Sequence, residues 1–296
     1  MFKSGFVSII GRPNVGKSTL LNQILGTKIA IMSDKAQTTR NTLQGIYTDE
    51  EAQIIFIDTP GIHKPQDLLG SFMNTTAINS VLGVDIVLFM TSCDQEIGKG
   101  DRYILNRLKD QEAAVFLVLN KIDTISKEKL IEQLVIWQNE FNFKEIIPIS
   151  SLKNQNVNQL LSTIKEYLNE GKAYYDANQI TDHPTRFIIA EFIREKILFF
   201  THQEIPHSIA IVLDKYEESQ DGVDIIASII VNRKSQKGML IGKQGAMIKK
   251  IRIAAKKEIK RFLNCEVRLE LYVKVEKDWR TKQRYLKQFG YDEDEY

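Results

Sequence analysis

The chain has 296 residues, 43% of them hydrophobic, with 40 Lys and Arg against 38 Asp and Glu; this composition excludes a disordered tail and leaves room for two domains, each able to bury a core. Two cysteines, Cys93 and Cys265, exclude a disulfide scaffold and fit a reducing cytoplasm. No apolar run reaches the roughly 18 residues of a membrane span, and the first residues lack a secretory signal pattern.

Along residues 1–170, short β-like runs alternate with helical patterns, as in a parallel sheet covered by helices on both faces. Strands are expected at 6–10, 42–48, 53–57, 85–90, 114–119 and 145–149, and helices at 17–25, 69–81, 99–108, 127–142 and 157–169. A polar, tyrosine-bearing stretch followed by Pro184 breaks the alternation, so the division reads as 1–172, a linker at 173–183, and 184–296. The second part reads as a helix at 187–200, strands at 207–216 and 223–232 around a turn at 218–222, a long helix at 245–263, a strand at 266–275 and a closing helix at 279–289. An acidic run at 292–295 ends the chain. Charge divides the same way. Residues 1–182 carry 18 basic and 21 acidic side chains, whereas residues 183–296 carry 22 and 17. Between 233 and 261 there are 11 basic residues and one acid, Glu258, a candidate polyanion-binding face.

Gly11-Arg12-Pro13-Asn14-Val15-Gly16-Lys17-Ser18 satisfies G-x-x-x-x-G-K-[ST] between an expected strand and an expected helix. There, backbone N–H groups converge on a β-phosphate, Lys17 reaches the β- and γ-oxygens, Ser18 ligates Mg²⁺, and Thr19 follows in the helix. Asp58-Thr59-Pro60-Gly61 closes the third strand; the Asp58 carboxylate can hold Mg²⁺ and the Gly61 amide can sense the γ-phosphate, with Ile62 next in line. Asn120-Lys121-Ile122-Asp123 follows the fifth strand. A carboxylate such as Asp123 accepts from the N1–H and the exocyclic amine of guanine, groups that adenine does not offer, so the pattern selects GTP over ATP. Ser150-Ser151-Leu152, after the sixth strand, can turn backbone amides toward the guanine O6.

The basic stretch contains Ile241-Gly242-Lys243-Gln244-Gly245, a G-x-x-G loop entering a helix with apolar residues Ile248, Ile251, Ala255, Ile259 and Phe262. In KH domains such a loop clamps the backbone of about four nucleotides. Glycines permit close phosphate approach, and Lys243, Lys249 and Lys250 add charge, with Arg233 and Lys237 just upstream.

In order, these elements resemble the translation-factor class of small GTPases, and Gln37-Thr38-Thr39-Arg40-Asn41 is similar to the first switch motif of the Era family. The resemblance covers nearly the whole chain. It implies an α/β P-loop NTPase domain with a six-stranded, mostly parallel sheet, followed by an α+β type II KH domain. It also implies that Thr39, rather than Thr38, closes on Mg²⁺, and that residues 33–44 and 61–72 are the switches held by the γ-phosphate. Lys17, Thr39 and Gly61 then form the catalytic set. The expected function is slow GTP hydrolysis coupled to binding of the 3′ region of 16S ribosomal RNA and to assembly of the small ribosomal subunit. The implied protein is a cytoplasmic monomer, with weak peripheral association at the membrane as a secondary location. Two departures stand out. Ile62 occupies the place of the water-orienting glutamine of Ras-type enzymes, and in relatives with such a replacement the P-loop asparagine matching Asn14 can help bind K⁺. Ser151 stands where relatives have alanine, with little effect expected because the backbone does the binding.

Two other functions fit parts of the pattern: a GTPase acting in tRNA modification, and an RNA-binding protein indifferent to its nucleotide. A P-loop kinase is disfavoured by Asp123. His63 reads as a solvent-facing loop residue, Cys93 and Cys265 as small apolar residues, Trp137 and Trp279 as helix anchors, and Phe199 and Phe200 as core.

Overall fold

A computed structural model describes residues 1–35, 37–65, 67–201 and 208–291. The continuous apolar runs of the first part become strands: β1 (Lys3–Gly11), β2 (Leu43–Thr48), β3 (Ala52–Asp58), β4 (Ile86–Ser92), β5 (Ala114–Asn120) and β6 (Glu145–Pro148). They form one sheet in the order β2-β3-β1-β4-β5-β6, parallel except for β2 against β3. Every residue of β4 is buried, as a parallel strand covered on both faces requires. Its side chains alternate between two cores. Leu88 and Met90 join Val7, Ile9 and Phe56 beneath α1 (Lys17–Leu25) and α5 (Val157–Tyr167). Val87 and Phe89 join Ile104 and Trp137 from α3 (Lys99–Leu108) and α4 (Lys127–Glu140). α2 (Leu68–Asn79) covers that second face beside them through Ala77.

The second part contains α6 (Thr185–Phe200), β7 (Ile209–Ser219), β8 (Gly222–Val231), α7 (Lys234–Ile241), a 3₁₀ turn (Lys243–Gly245), α8 (Ala246–Leu263), β9 (Val267–Val275), a second 3₁₀ turn (Trp279–Thr281) and α9 (Gln283–Gln288). Its sheet runs β7-β8-β9, with β8 antiparallel to β7 and parallel to β9. A parallel pair needs a long crossover, which α7 and α8 supply. The expected turn at 218–222 shortens to two residues because Ser219 pairs with Gly222, whose φ of +129° only glycine adopts readily. α7 was not expected. It is eight residues long, and the Gln236 side chain accepts from the N–H groups of Asn232 and Arg233 at 3.0 Å while donating to Ser208 Oγ at 2.7 Å, so a side chain rather than an apolar period fixes its start. Phe199 differs from its expected place in the core: it is 72% exposed at the end of α6. The first residue of the expected strand at 207 and the acidic run at 292–295 lie outside the described residues. No helix among the described residues is long and apolar enough to cross a membrane.

The 173–183 stretch is not a free tether. Gln53, fully buried in β3, accepts from the Tyr174 and Tyr175 N–H groups at 2.6 and 2.9 Å and donates to the Tyr175 carbonyl at 2.9 Å. Farther along, Ile46 N–H donates to the Ile180 carbonyl at 2.9 Å and Thr181 Oγ1 to the Gln44 carbonyl at 2.7 Å. The segment thus runs along the β2 edge into α6, and the sheet of the second domain faces α2: Leu69, Phe72 and Met73 pack with Ala210, Ile230, Trp279, Leu286 and Tyr291. Removing a group that satisfies several buried partners costs about 1–3 kcal/mol. Gln53→Ala is therefore predicted to raise native-state chymotrypsin cleavage at Tyr174 and Tyr175 about five- to a hundredfold; cleavage at the wild-type rate would show that the segment is held by other contacts.

Candidate functional site

β1, β3 and β5 end on the same edge of the sheet, so the loops that leave them converge. Gly16, at φ +105°, starts α1, and a Cβ there would meet Asn120 Nδ2 at 2.3 Å; the P-loop can lie against the β5 loop only with glycine at this point. Asn120 Nδ2 donates to the Val15 carbonyl at 2.8 Å, and its Oδ1 accepts from Ser151 N and Ser151 Oγ at 2.9 and 3.0 Å. One buried amide thus locks three loops together. The Ser151 hydroxyl takes part in this lock, a role that alanine could not fill.

Lys17 is buried and donates from Nζ to the carbonyls of Gly11 and Arg12 at 3.2 and 3.0 Å. Ser18 Oγ donates to Asp58 Oδ2 at 2.7 Å and lies 3.0 Å from Thr39 Oγ1, which is 3.5 Å from the same carboxylate oxygen. Thr38 faces elsewhere, donating to the Lys35 carbonyl at 2.6 Å. Asp58 Oδ1 is buried with no hydrogen-bond partner among the described residues. Burial lowers the Lys17 ammonium to about 8, opposed by Asp58; burial raises the Asp58 carboxyl to about 6, opposed by Lys17 and the Ser18 hydroxyl. Each charge lacks solvation, so the site gains from an anion beside Lys17 and a cation beside Asp58. A small cleft opens here, bounded by Pro13, Asn14, Thr19, Thr39 and Gly61.

After β3, Thr59 Oγ1 donates to the Ile9 carbonyl at 2.8 Å, and Pro60 is buried. A Cβ on Gly61 would meet Pro13 at 2.7 Å. Ile62 is 4% exposed within the second core, and its side chain cannot orient a water. Of the other P-loop residues, Val15 is buried in the first core, while Arg12 and Asn14 turn outward. Asn14, with φ +64°, donates from Nδ2 to the Asp34 carbonyl at 2.8 Å, and the Arg12 guanidinium turns to Asp101 at 3.1 Å. Asp123 and Leu152 are exposed near the locked loops, Lys121 is half-buried and its ammonium lies 3.5 Å from Asp94, and Ser150 is buried. His63, expected in solvent, is half-buried: Nδ1 is 3.1 Å from the Gly61 carbonyl and Nε2 is 3.1 Å from Gln37 Nε2.

In the second domain, Ile241 ends α7 and Gly242 caps it, at φ +72°, with its N–H on the Gly238 carbonyl at 2.9 Å. Gly242, Gln244 and Gly245 all have positive φ, so the loop folds back tightly before α8. A Cβ at Gly242 would meet Met247 N at 2.9 Å. Ile251, Ala255 and Ile259 bury one stripe of α8, while Lys249 and Lys250 face solvent, Lys243 and Gln244 are exposed in the loop, and Ile248 is half-buried at its rim. Arg233 is exposed and Lys237 half-buried along α7. The result is a positive surface with an apolar floor, suited to a single-stranded polyanion.

Some residues that shape the site gave no sequence signal as such. Arg40, 1% exposed, donates to the Ile209 carbonyl at 2.5 Å and to Tyr291 Oη at 3.1 Å. Arg194 of α6, equally buried, donates to the carbonyls of Gln37 and Thr38. Their partners lie more than 150 positions away, beyond any local pattern.

The profile of the 50S ribosome-binding GTPase family matches residues 6–121, and that of the KH domain matches 204–280. The chain is similar to a tyrosine-to-alanine variant of Era from Aquifex aeolicus bound to GDP and AlF₄⁻, with 40% identity and a TM-score of 0.93 over 98% of this chain and 99% of that one. It is similar, at 41% identity, a TM-score of 0.93 and the same coverage, to Era in complex with MgGDPNP and nucleotides 1506–1542 of 16S ribosomal RNA. The lock at Asn120 makes three hydrogen bonds, each worth about 0.5–1.5 kcal/mol. Asn120→Ala is therefore predicted to weaken GDP binding between ten- and a thousandfold, read with a fluorescent GDP; a change below threefold would remove the lock from the site.

Proposed function

Because the chain belongs to the Era family of GTPases, we propose that it is a GTP-hydrolysing switch that binds the 3′ region of 16S ribosomal RNA and assists assembly of the small ribosomal subunit. The observation that carries this reading is the meeting of Ser18 Oγ, Thr39 Oγ1 and Asp58 Oδ2, each within 3.5 Å of the next, beside a desolvated Lys17. Ser18, Thr39 and Asp58 are hard oxygen donors, and the unpartnered Asp58 Oδ1 fits a set that would hold Mg²⁺ directly or through water. When bound, the ion offsets charge on the β- and γ-phosphate oxygens.

In the reaction, water attacks the γ-phosphorus and the bond to the bridging oxygen breaks; GDP keeps the electron pair and phosphate departs. Lys17 exchanges its two carbonyl partners for phosphate oxygens. The amides from Asn14 to Thr19 cradle the β-phosphate at the start of α1, and the Gly61 amide faces the γ-phosphate. Asp123 reads guanine, with Asn120, Lys121 and the amides of Ser150, Ser151 and Leu152 around the base. No side chain acts as general base, and with Ile62 sealed in the core intrinsic turnover is slow.

We assign residues 1–172 to the GTPase domain, 173–183 to the connecting segment and 184–296 to the KH domain. Arg233, Lys237, the 241–245 loop, Ile248, Lys249 and Lys250 bind the RNA strand. Finer features of the proposal are a K⁺ ion assisted by Asn14, a monomeric state, and a cytoplasmic location with weak peripheral contact at the membrane.

Hydrogen bonds to a charged group contribute about 1.5–3 kcal/mol each, so Asp123→Asn is predicted to raise the GTP Kd at least a hundredfold. The variant should admit xanthosine triphosphate, because an amide can donate to the carbonyl that replaces the guanine amine; unchanged GTP affinity would refute the assignment. The proposed output is tested by crosslinking and sequencing RNA bound to the protein loaded with GDPNP or with GDP. Enrichment of the 16S 3′ end with GDPNP is the expected result. Equal recovery with both nucleotides would make the protein a nucleotide-indifferent RNA binder, and tRNA in place of rRNA would point to tRNA modification.

A further inference from the structure

Thr39 sits in a loop with no strand or helix of its own, yet its hydroxyl lies 3.0 Å from Ser18 Oγ. What holds it there comes largely from the other domain. Arg194 Nη1 donates to the Gln37 carbonyl at 3.4 Å and Nη2 to the Thr38 carbonyl. Glu191, one turn back on α6, holds the same guanidinium with both carboxylate oxygens, at 2.7 Å to Nε and through a second contact to Nη2. The neighbouring Glu195 accepts from Met32 N at 2.9 Å. α6 therefore grips the loop on the N-terminal side of Thr39, while Arg40 anchors the other side through Ile209 and Tyr291. Because the peptide unit is planar, fixing the Thr38 carbonyl also fixes the Thr39 nitrogen and Cα. Rotation about the Thr39 N–Cα bond and its side-chain rotamer then place the hydroxyl.

We propose that Arg194, a residue of the RNA-binding domain, is a positioning residue for GTP hydrolysis, presenting Thr39 to the metal-bound γ-phosphate by holding the Gln37 and Thr38 carbonyls. The inference rests on the GTPase reading above. It assigns Arg194 no contact with the nucleotide. A lysine cannot reproduce the arrangement, since one ammonium lacks the planar fork that reaches two carbonyls and a carboxylate together. GDP has no γ-phosphate for Thr39 to approach, so GDP affinity is independent of this grip.

The test uses the full chain with Arg194→Ala, Arg194→Lys and Glu191→Gln. It measures single-turnover GTP hydrolysis together with equilibrium binding of fluorescent GDPNP and fluorescent GDP in Mg²⁺. Loss of a charge-assisted contact corresponds to about ten- to hundredfold. Arg194→Ala and Arg194→Lys should slow hydrolysis and weaken GDPNP by at least tenfold, with GDP affinity within twofold of wild type. Glu191→Gln, which keeps the arginine but loosens its hold, should move both readouts the same way by a smaller factor and serves if the arginine variants do not fold. Wild-type hydrolysis and GDPNP affinity in a folded variant, or equal losses for GDP and GDPNP, would overturn the proposal. If the wild-type chain itself failed to bind GDPNP or hydrolyse GTP, the GTPase reading would fall first.

Discussion

The arrangement of the two domains depends on where two buried cations find their partners. Arg40 belongs to the first domain and donates from Nη1 to the second; Arg194 belongs to the second and takes its carbonyls from the first. Both are about 1% exposed; burial first, and then the charges of Arg194 and Arg280, pull the Arg40 pKa down, with Tyr291 opposing. Stranding a charge in such a place costs several kcal/mol. Parting the domains must therefore return both guanidinium groups to water or find them new acceptors. Asn41 Nδ2 on the Gly290 carbonyl at 2.9 Å and Arg280 on Asp67 extend the same polar seam, and the apolar cluster of α2, Trp279 and Tyr291 fills the space beside it. The seam gives the junction direction; the cluster gives it area.

The nucleotide edge is shaped by a different constraint, the distance between backbones. Gly16 and Gly61 are the two points where a methyl group would collide with a neighbouring loop, at Asn120 and Pro13 respectively. Close approach lets the amides of the P-loop and of the loop after β3 face a common centre, and the Asn120 side chain then ties the guanine loops to that centre. Lys17 and Asp58 are left with little water, which makes them receptive to charges that a Mg²⁺–phosphate pair supplies.

Much of this was legible in the chain. β4 and β5 read as buried parallel strands because they are unbroken apolar runs, and the motifs at 11–18, 58–61 and 120–123 read as one site because each follows a strand of the same sheet. α8 was legible from the spacing of Ile251, Ala255 and Ile259. α7 was not, because its start is fixed by Gln236 reaching back to Asn232 and Arg233 and its eight residues carry too few apolar positions to show a period. Phe199 was misplaced because an aromatic at the end of an apolar helix reads as core, whereas α6 leaves it facing solvent. The stretch before α6 reads as a linker by composition; its backbone is held by the buried Gln53 at Tyr174 and Tyr175 and by β2 at Ile180, contacts that composition does not show. Arg194 had no readable role, since its partners are carbonyls, which every residue has.

α6 has two working sides. One holds the loop before Thr39; the other packs against α8, where the Phe192 and Phe262 rings meet edge to face at 5.4 Å and Lys196 pairs with Glu258 at 3.0 Å. Lys28, just after α1, joins the same cluster at 2.7 Å from Glu195 and 3.3 Å from Glu258. A ligand that prefers the closed loop and one that prefers a given placement of α8 thus act on one rigid element, and linkage makes any coupling between them reciprocal. The two sides answer differently to the medium. Lys28, Lys196 and Glu258 keep part of their side chains in water, so added salt screens them, whereas the Arg40 and Arg194 guanidinium groups are about 1% exposed. Ionic strength therefore acts more on the hold between the domains near α8 than on the grip before Thr39.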